Sequence, residues 1–279
     1  MATQLLIYDQ VEVVNRERHR EWSVKAGSTF EFARGVNSVP LMAVEFPNAA
    51  GEYPIVFAGS DTEVIPVVVM GIRDKENLYV DEEGKWQAKY VPAFIRRYPF
   101  VFSSSDDGST LTLCIDENFE GCNQDGRGER LFDVDGNQTQ YLTNVLEFLK
   151  HYQASFQQTV QFCKKLKELD ILEQMEATFT PPGGKPTVLS GFFAVNRAKL
   201  KALPDEKLAE LAKSDEMELL YTHLVSMSNF RGMPERLGET GTDESADAAA
   251  EPEATEAPAA DAGDTKTEDA EMAAAASEE

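Results

Sequence analysis

Between residues 140 and 169 the apolar side chains recur at three- and four-residue spacing: Leu142, Val145, Leu146, Leu149, Tyr152, Phe156, Val160, Cys163 and Leu166. A helix gathers such positions into one stripe, so the spacing predicts a long amphipathic helix with one face packed inward. Asn137 followed by Gln140 predicts its N-cap and capping-box partner. The first half of the chain has another rhythm, short apolar runs punctuated by turn residues. Segments 29–32, 53–58 and 64–71 read as strands, as does 78–80 ahead of the acidic glycine turn at 81–84. Residues 41–51 predict a short helix with Leu41, Val44 and Ala49 on its apolar face, with Pro47 opposing it. Residues 92–97 predict another, opened by Pro92 and closed by Pro99. Segments 101–103 and 110–115, joined by Ser-Ser-Asp-Asp-Gly-Ser, predict a β-hairpin. Beyond the turn at 181–185, residues 187–195 predict a strand, 198–203 and 205–213 two short helices, and 218–227 a strand in preference to a helix. The sum is an α+β fold: a mixed, β-rich N-terminal half, the long amphipathic helix, and a small αβ C-terminal segment.

From residue 239 the pattern stops. Segment 239–279 is built from Ala, Glu, Asp, Thr, Pro and Gly, with Met272 as its one large apolar residue, and too little apolar surface to offset chain entropy. It is expected to be a disordered acidic tail, with residues 1–238 forming a single α+β domain. The tail also explains most of the net charge of −23, because it carries fourteen acids and one base, Lys266. The remaining 35 acids and 25 bases still oppose any anionic polymer or lipid surface, so nucleic acid is not an expected partner. The most apolar window, 64–72, is half the length of a membrane span, so no transmembrane segment is expected. An N-terminus interrupted early by Asp9 and Glu12, together with three cysteines in no CxxC pair, points to a cytoplasmic protein with reduced thiols.

Motif chemistry is sparse. Asp133, Asp135 and Asn137 are spaced like the start of a calcium loop, but Gln138 and Asn144 occupy the positions that need Gly and Glu, so a helix-capping turn is expected instead. Asp116, Glu117, Glu120, Cys122 and Asp125 mix hard and soft ligands with no nearby His, and read as a solvated loop; no metal site or cofactor is expected. His19, His151 and His223 stand in no catalytic or metal motif, although a nucleophile paired with His223 through the fold stays open. No glycine pattern forms a phosphate cradle. One stretch differs: residues 84–100 gather Trp86, Tyr90, Phe94, Tyr98 and Phe100 with Lys85, Lys89, Arg96 and Arg97 in an otherwise acidic chain. Aromatic faces and guanidinium groups suit a carboxylate or a flat ligand, and serve equally to anchor a helix on its sheet. Trp86, Tyr90, Arg96, Arg97, Tyr98 and His223 are therefore the candidate ligand-binding residues. Adjacent arginines cannot share a helix face, so one is expected to point inward to a buried acid.

The same stretch carries a resemblance. Gly84-Lys85-Trp86, Tyr90-Val91-Pro92-Ala93 and Arg96-Arg97-Tyr98-Pro99-Phe100 resemble the signature of the bacterial SapC-like family. The likeness extends upstream through Tyr53-Pro54-Ile55-Val56-Phe57 and downstream through Gly191-Phe192 to Tyr221-Thr222-His223, and spans most of residues 5–235. What it implies is limited: the family takes its name from a surface-layer gene cluster and supplies no catalytic residues to carry over. The shared name of a peptide-transporter permease does not apply to a chain expected to have no spans. Three functions follow as expectations. The preferred one is an accessory or binding protein, without catalysis, for a partner protein or a small anionic ligand. The others are a motif-less enzyme acting on a small molecule and an exported surface-layer component.

Overall fold

A computed structural model describes residues 5–27, 29–60, 63–105, 110–180 and 186–240. The expected tail beyond Thr240, the hairpin tip at 106–109 and the turn at 181–185 lie outside the described residues. The strands are β1 (Val11–Val13), β2 (Ser23–Val24), β3 (Ser38–Pro40), β4 (Ile55–Gly59), β5 (Val64–Val69), β6 (Phe100–Ser104), β7 (Leu111–Asp116), β8 (Cys122–Asn123), β9 (Glu129–Arg130), β10 (Leu172–Phe179) and β11 (Thr187–Val195). The helices are α1 (Arg16–His19), α2 (Phe46–Ala49), α3 (Ala93–Arg96), α4 (Gln140–Glu168), α5 (Arg197–Lys201), α6 (Asp205–Lys213), α7 (Glu216–Ser226) and α8 (Met233–Thr240). The fold is α+β, with antiparallel strands in three sheets ordered β1-β7-β6, β10-β11-β4-β5-β3 and β8-β2-β9.

Two apolar clusters form the interior. The larger lies on the five-stranded sheet, where β5 sits between β3 and β4 and is largely buried along its length. A strand covered on both faces needs no polar alternation, which is why 64–69 reads as an unbroken apolar run. The smaller cluster joins Val24, Phe100, Ile115, Phe119, Leu131 and Phe132. Helix α4, about 43 Å long at 1.5 Å per residue, serves both. Leu142 and Leu149 enter the smaller cluster, and Tyr152, Phe162, Cys163 and Leu166 enter the larger.

Several sequence expectations are corrected. The cap of α4 is Thr139, whose hydroxyl accepts from the Leu142 N–H; Asn137 is held instead by the Asp133 carboxylate, closing the turn before it. Residues 29–32 form a 3-10 turn from Glu31 to Ala33, because the Thr29 hydroxyl accepts from the Glu31 N–H. Residues 78–80 make one isolated bridge, Val80 with Trp86, since the Asn77 side chain takes the Tyr79 N–H that a ladder would need. The acidic turn that follows forms as expected, and Gly84 (φ 76°) is required there: a Cβ would lie 2.3 Å from the Thr29 hydroxyl. Residues 41–51 hold a 3-10 turn and the single turn of α2, with Pro47 in its first turn, where a missing N–H does no harm. The 218–227 segment is helical, as α7: Leu220, His223 and Ser226 recur every third residue on its buried side. Strand β10, which no alternation announces, pairs along β11 with a bulge between Met175 and Ala177. Helix α8 continues to Thr240, two residues into the expected tail.

Candidate functional site

The aromatic, basic stretch is held in place by hydrogen bonds to its own backbone. Tyr53, fully buried after α2, donates its hydroxyl to the Tyr90 carbonyl at 2.5 Å and accepts from the Trp86 indole N–H at 2.9 Å. The Tyr90 hydroxyl donates to Glu45 at 2.7 Å, and the same carboxylate oxygen accepts from the Ala93 N–H that opens α3. Glu45 is almost fully buried, and its second oxygen accepts from the Met42 N–H, so the charge is matched by three donors. Desolvation, followed by the hydrogen bond to Glu45, raises the Tyr90 phenol well above its ordinary range.

Arg96 and Arg97 part as helix geometry requires. Arg97 is buried, with its guanidinium 4.2 Å from the Phe94 ring centroid, 5.0 Å from Tyr152 and 5.6 Å from Tyr8. Its charge opposes the rise that burial imposes on the Tyr8 phenol, whose hydroxyl donates to the Phe100 carbonyl at 2.7 Å. The inward arginine packs against these aromatic faces, which offset desolvation by cation–π attraction. Arg96 is exposed, tied by its Nε–H to the Val91 carbonyl at 2.9 Å and lying over the Tyr90 and Phe148 rings. Tyr98 stacks on Phe32 at 4.1 Å and donates to Asp116.

The candidate residues do not share one pocket. Trp86 lines an open cleft of about 640 Å³, between the 86–89 segment and the chain from Ser228 to Arg236. Tyr79 forms its inner wall with Trp86, the Arg236 guanidinium lies 4.4 Å from the Tyr79 ring centroid, and Lys89 stands at the rim. Glu52 is the acid of the cleft, and both its oxygens accept from the Lys89 backbone N–H. Burial raises the Tyr79 hydroxyl to about 12, with Arg236 opposing the rise. Arg96, Arg97 and Tyr98 border a separate, smaller hollow of about 280 Å³ against α4.

His223 joins neither. Its Nδ1–H donates to the Ile55 carbonyl at 2.8 Å and its Nε2 accepts from the Val195 N–H at 3.0 Å, which fixes the tautomer and occupies both nitrogens. Strand β11 pairs with β4 only at Phe192–Phe193, and the imidazole fills in the hydrogen bonding where the two strands diverge. Burial lowers its pKa to about 4. Ser226, one turn on, accepts from the Ile55 N–H.

The acidic loop at 116–125 is corrected in part. Asp116 is fully buried and accepts from the Asp9, Gln10 and Asn118 N–H groups and from Tyr98, while Glu117 holds buried His19 at 3.0 Å and pairs with Arg18. These carboxylates fasten the N-terminal segment to β7. Burial raises all three thiols, Cys122 and Cys163 to about 12. Among the described residues no group of three or more His, Cys, Asp or Glu side chains is placed to hold a metal ion, and no helix is long and apolar enough to cross a membrane.

Of the candidate ligand-binding residues only Trp86 lines the open cleft; Lys89 comes from the same basic stretch, and Tyr79, Glu52 and Arg236 were not singled out in the sequence. Arg236 lies 150 residues from Trp86 in the chain, and only folding brings α8 beside it. The SapC family model matches residues 14–233. No curated protein and no solved structure matches the chain.

Proposed function

This chain belongs to the SapC family, and from that premise we propose that it is a cytoplasmic binding protein, without catalysis of its own, that takes a small anionic ligand in the cleft beside Trp86. The observation that carries this reading is the convergence of Lys89 and Arg236 with the Tyr79–Trp86 wall in one cleft. An aromatic wall with a fixed guanidinium supplies a flat contact surface and a directed anchor for a carboxylate. The volume lies within the usual range for small-molecule sites, roughly 300–1,000 Å³.

Two further observations favour binding over turnover. The His and Cys side chains that would serve as base or nucleophile stand outside the cleft lining, with His223 committed to backbone groups and the thiols raised by burial. Both hydroxyls of the lining are committed to backbone carbonyls, Ser228 to Val225 and Tyr79 to Glu52. Buried or half-buried free thiols suit a reducing compartment.

Isothermal titration of the full chain with oxalate, 2-oxoglutarate and citrate tests the reading. At least one should bind saturably, and Arg236→Ala and Lys89→Ala should each weaken it by about tenfold, the worth of one charge-assisted contact of about 1.4 kcal/mol. Saturable binding that neither substitution weakens contradicts the cleft. No binding by any acid shifts the reading to a protein partner, which a pull-down with the same two variants then tests.

A further inference from the structure

We propose that the hollow between α3 and α4 is a second binding site, distinct from the cleft, for a small monocarboxylate with a flat apolar body, such as an arylcarboxylate. The site is assembled from parts distant in sequence. Tyr98 and Phe100 come from the chain leaving α3, while Tyr141, Val145 and Phe148 come from the first three turns of α4. These side chains make its walls predominantly apolar and aromatic, the reverse of the polar cleft at Trp86. Its volume of about 280 Å³ equals roughly nine waters of liquid, which suits a single ring and not a nucleotide or a peptide.

The polar groups sit at one side. Arg96 is exposed yet held: its Nε–H is fixed on the Val91 carbonyl, and its plane lies over Tyr90 and over Phe148, a wall of the hollow. A guanidinium anchored through Nε, with Nη2 also donating to the Tyr90 hydroxyl at 3.5 Å, keeps Nη1 and the second Nη2 N–H for a carboxylate, and little side-chain entropy remains to be lost on binding. Opposite it on α4, Asn144 accepts from the Gln140 side chain through its oxygen, which turns its amide N–H₂ into the available donor. An apolar body among the rings and a carboxylate between Arg96 and Asn144 satisfy every group named. A neutral ring would forgo the charge-assisted bonds. A dianion would place a second charge against apolar walls.

Benzoate is the probe, with benzyl alcohol as neutral control and phthalate as dianion, titrated into the full-length protein and followed by calorimetry. Benzoate is expected to bind saturably, and benzyl alcohol and phthalate at least tenfold more weakly. Arg96→Gln should reduce benzoate affinity about tenfold or more. Asn144→Asp, an exposed position where the fold has little at stake, should reduce it by a similar factor by setting a carboxylate against the ligand's. Lys89→Ala, on the cleft, should leave it unchanged, so this site and the cleft stand or fall separately. Absence of benzoate binding at millimolar concentration overturns the proposal. So does binding that both rim substitutions leave intact, or that Lys89→Ala abolishes.

Discussion

Burial holds the His223 imidazole neutral, and its two nitrogens replace hydrogen bonds that β4 and β11 cannot make to each other. Its pKa falls from 6.5 to about 4 on folding, so the unfolded chain binds the proton first as pH drops. The stability it contributes is therefore complete above about pH 6.5 and is lost as pH falls through that value towards 4, about 3 kcal/mol in all at ~1.4 kcal/mol per pH unit. Urea unfolding at pH 7.5 and pH 5 should show that slope. His223→Phe should lower stability at pH 7.5 by about 2–5 kcal/mol, because the Val195 N–H and Ile55 carbonyl are left buried and unpaired, and should flatten the slope. At this scale the sequence was legible where local geometry decides. Neighbouring arginines on a helix must diverge, and Arg96 and Arg97 do. What Arg97 would meet was not legible, because Tyr8 and Tyr152 arrive from remote segments.

Among the elements, α4 was read almost to the residue because 29 positions repeat one period. Its cap was misread by two residues, since Asn137 and Thr139 are both good capping residues and only the fold shows that Asp133 takes the first. Thr139→Ala should therefore cost about 1 kcal/mol in urea unfolding. Asn137→Ala, whose contacts are exposed, should stay within about 0.5 kcal/mol. Short elements were less legible. The run at α7 mixes apolar and polar residues in a way both periods accommodate, and tertiary contact with Ile55 decides for the helix. Strand β10 presents exposed Gln174, Met175 and Glu176 in succession, and its bulge erases the alternation that would have announced it.

For the whole molecule, α4 contributes side chains to both apolar clusters, and Phe32 and Tyr98 pack against both, so residues 1–240 should unfold as one cooperative unit. Removing residues 241–279 should change stability by less than about 0.5 kcal/mol, since the tail has little apolar surface to bury. Calorimetry of the full and shortened chains, each giving one transition, checks this. The candidate sites were half legible at this scale. The sequence marked residues 84–100 as unusual, and the fold divides that stretch between two hollows, one facing α8 and one facing α4. Which segments would face it depended on long-range packing that local pattern does not encode. Trp86 reports directly on the cleft as the ligand site, because it lines the cleft and Trp22 is the only other tryptophan in the chain. In a Trp22→Phe protein, Trp86 emission followed during titration with oxalate, 2-oxoglutarate and citrate should change saturably for at least one of them. The change should disappear in the Lys89→Ala, Arg236→Ala double variant. Emission unmoved by every acid, or moved equally in the double variant, would contradict the cleft as the ligand site.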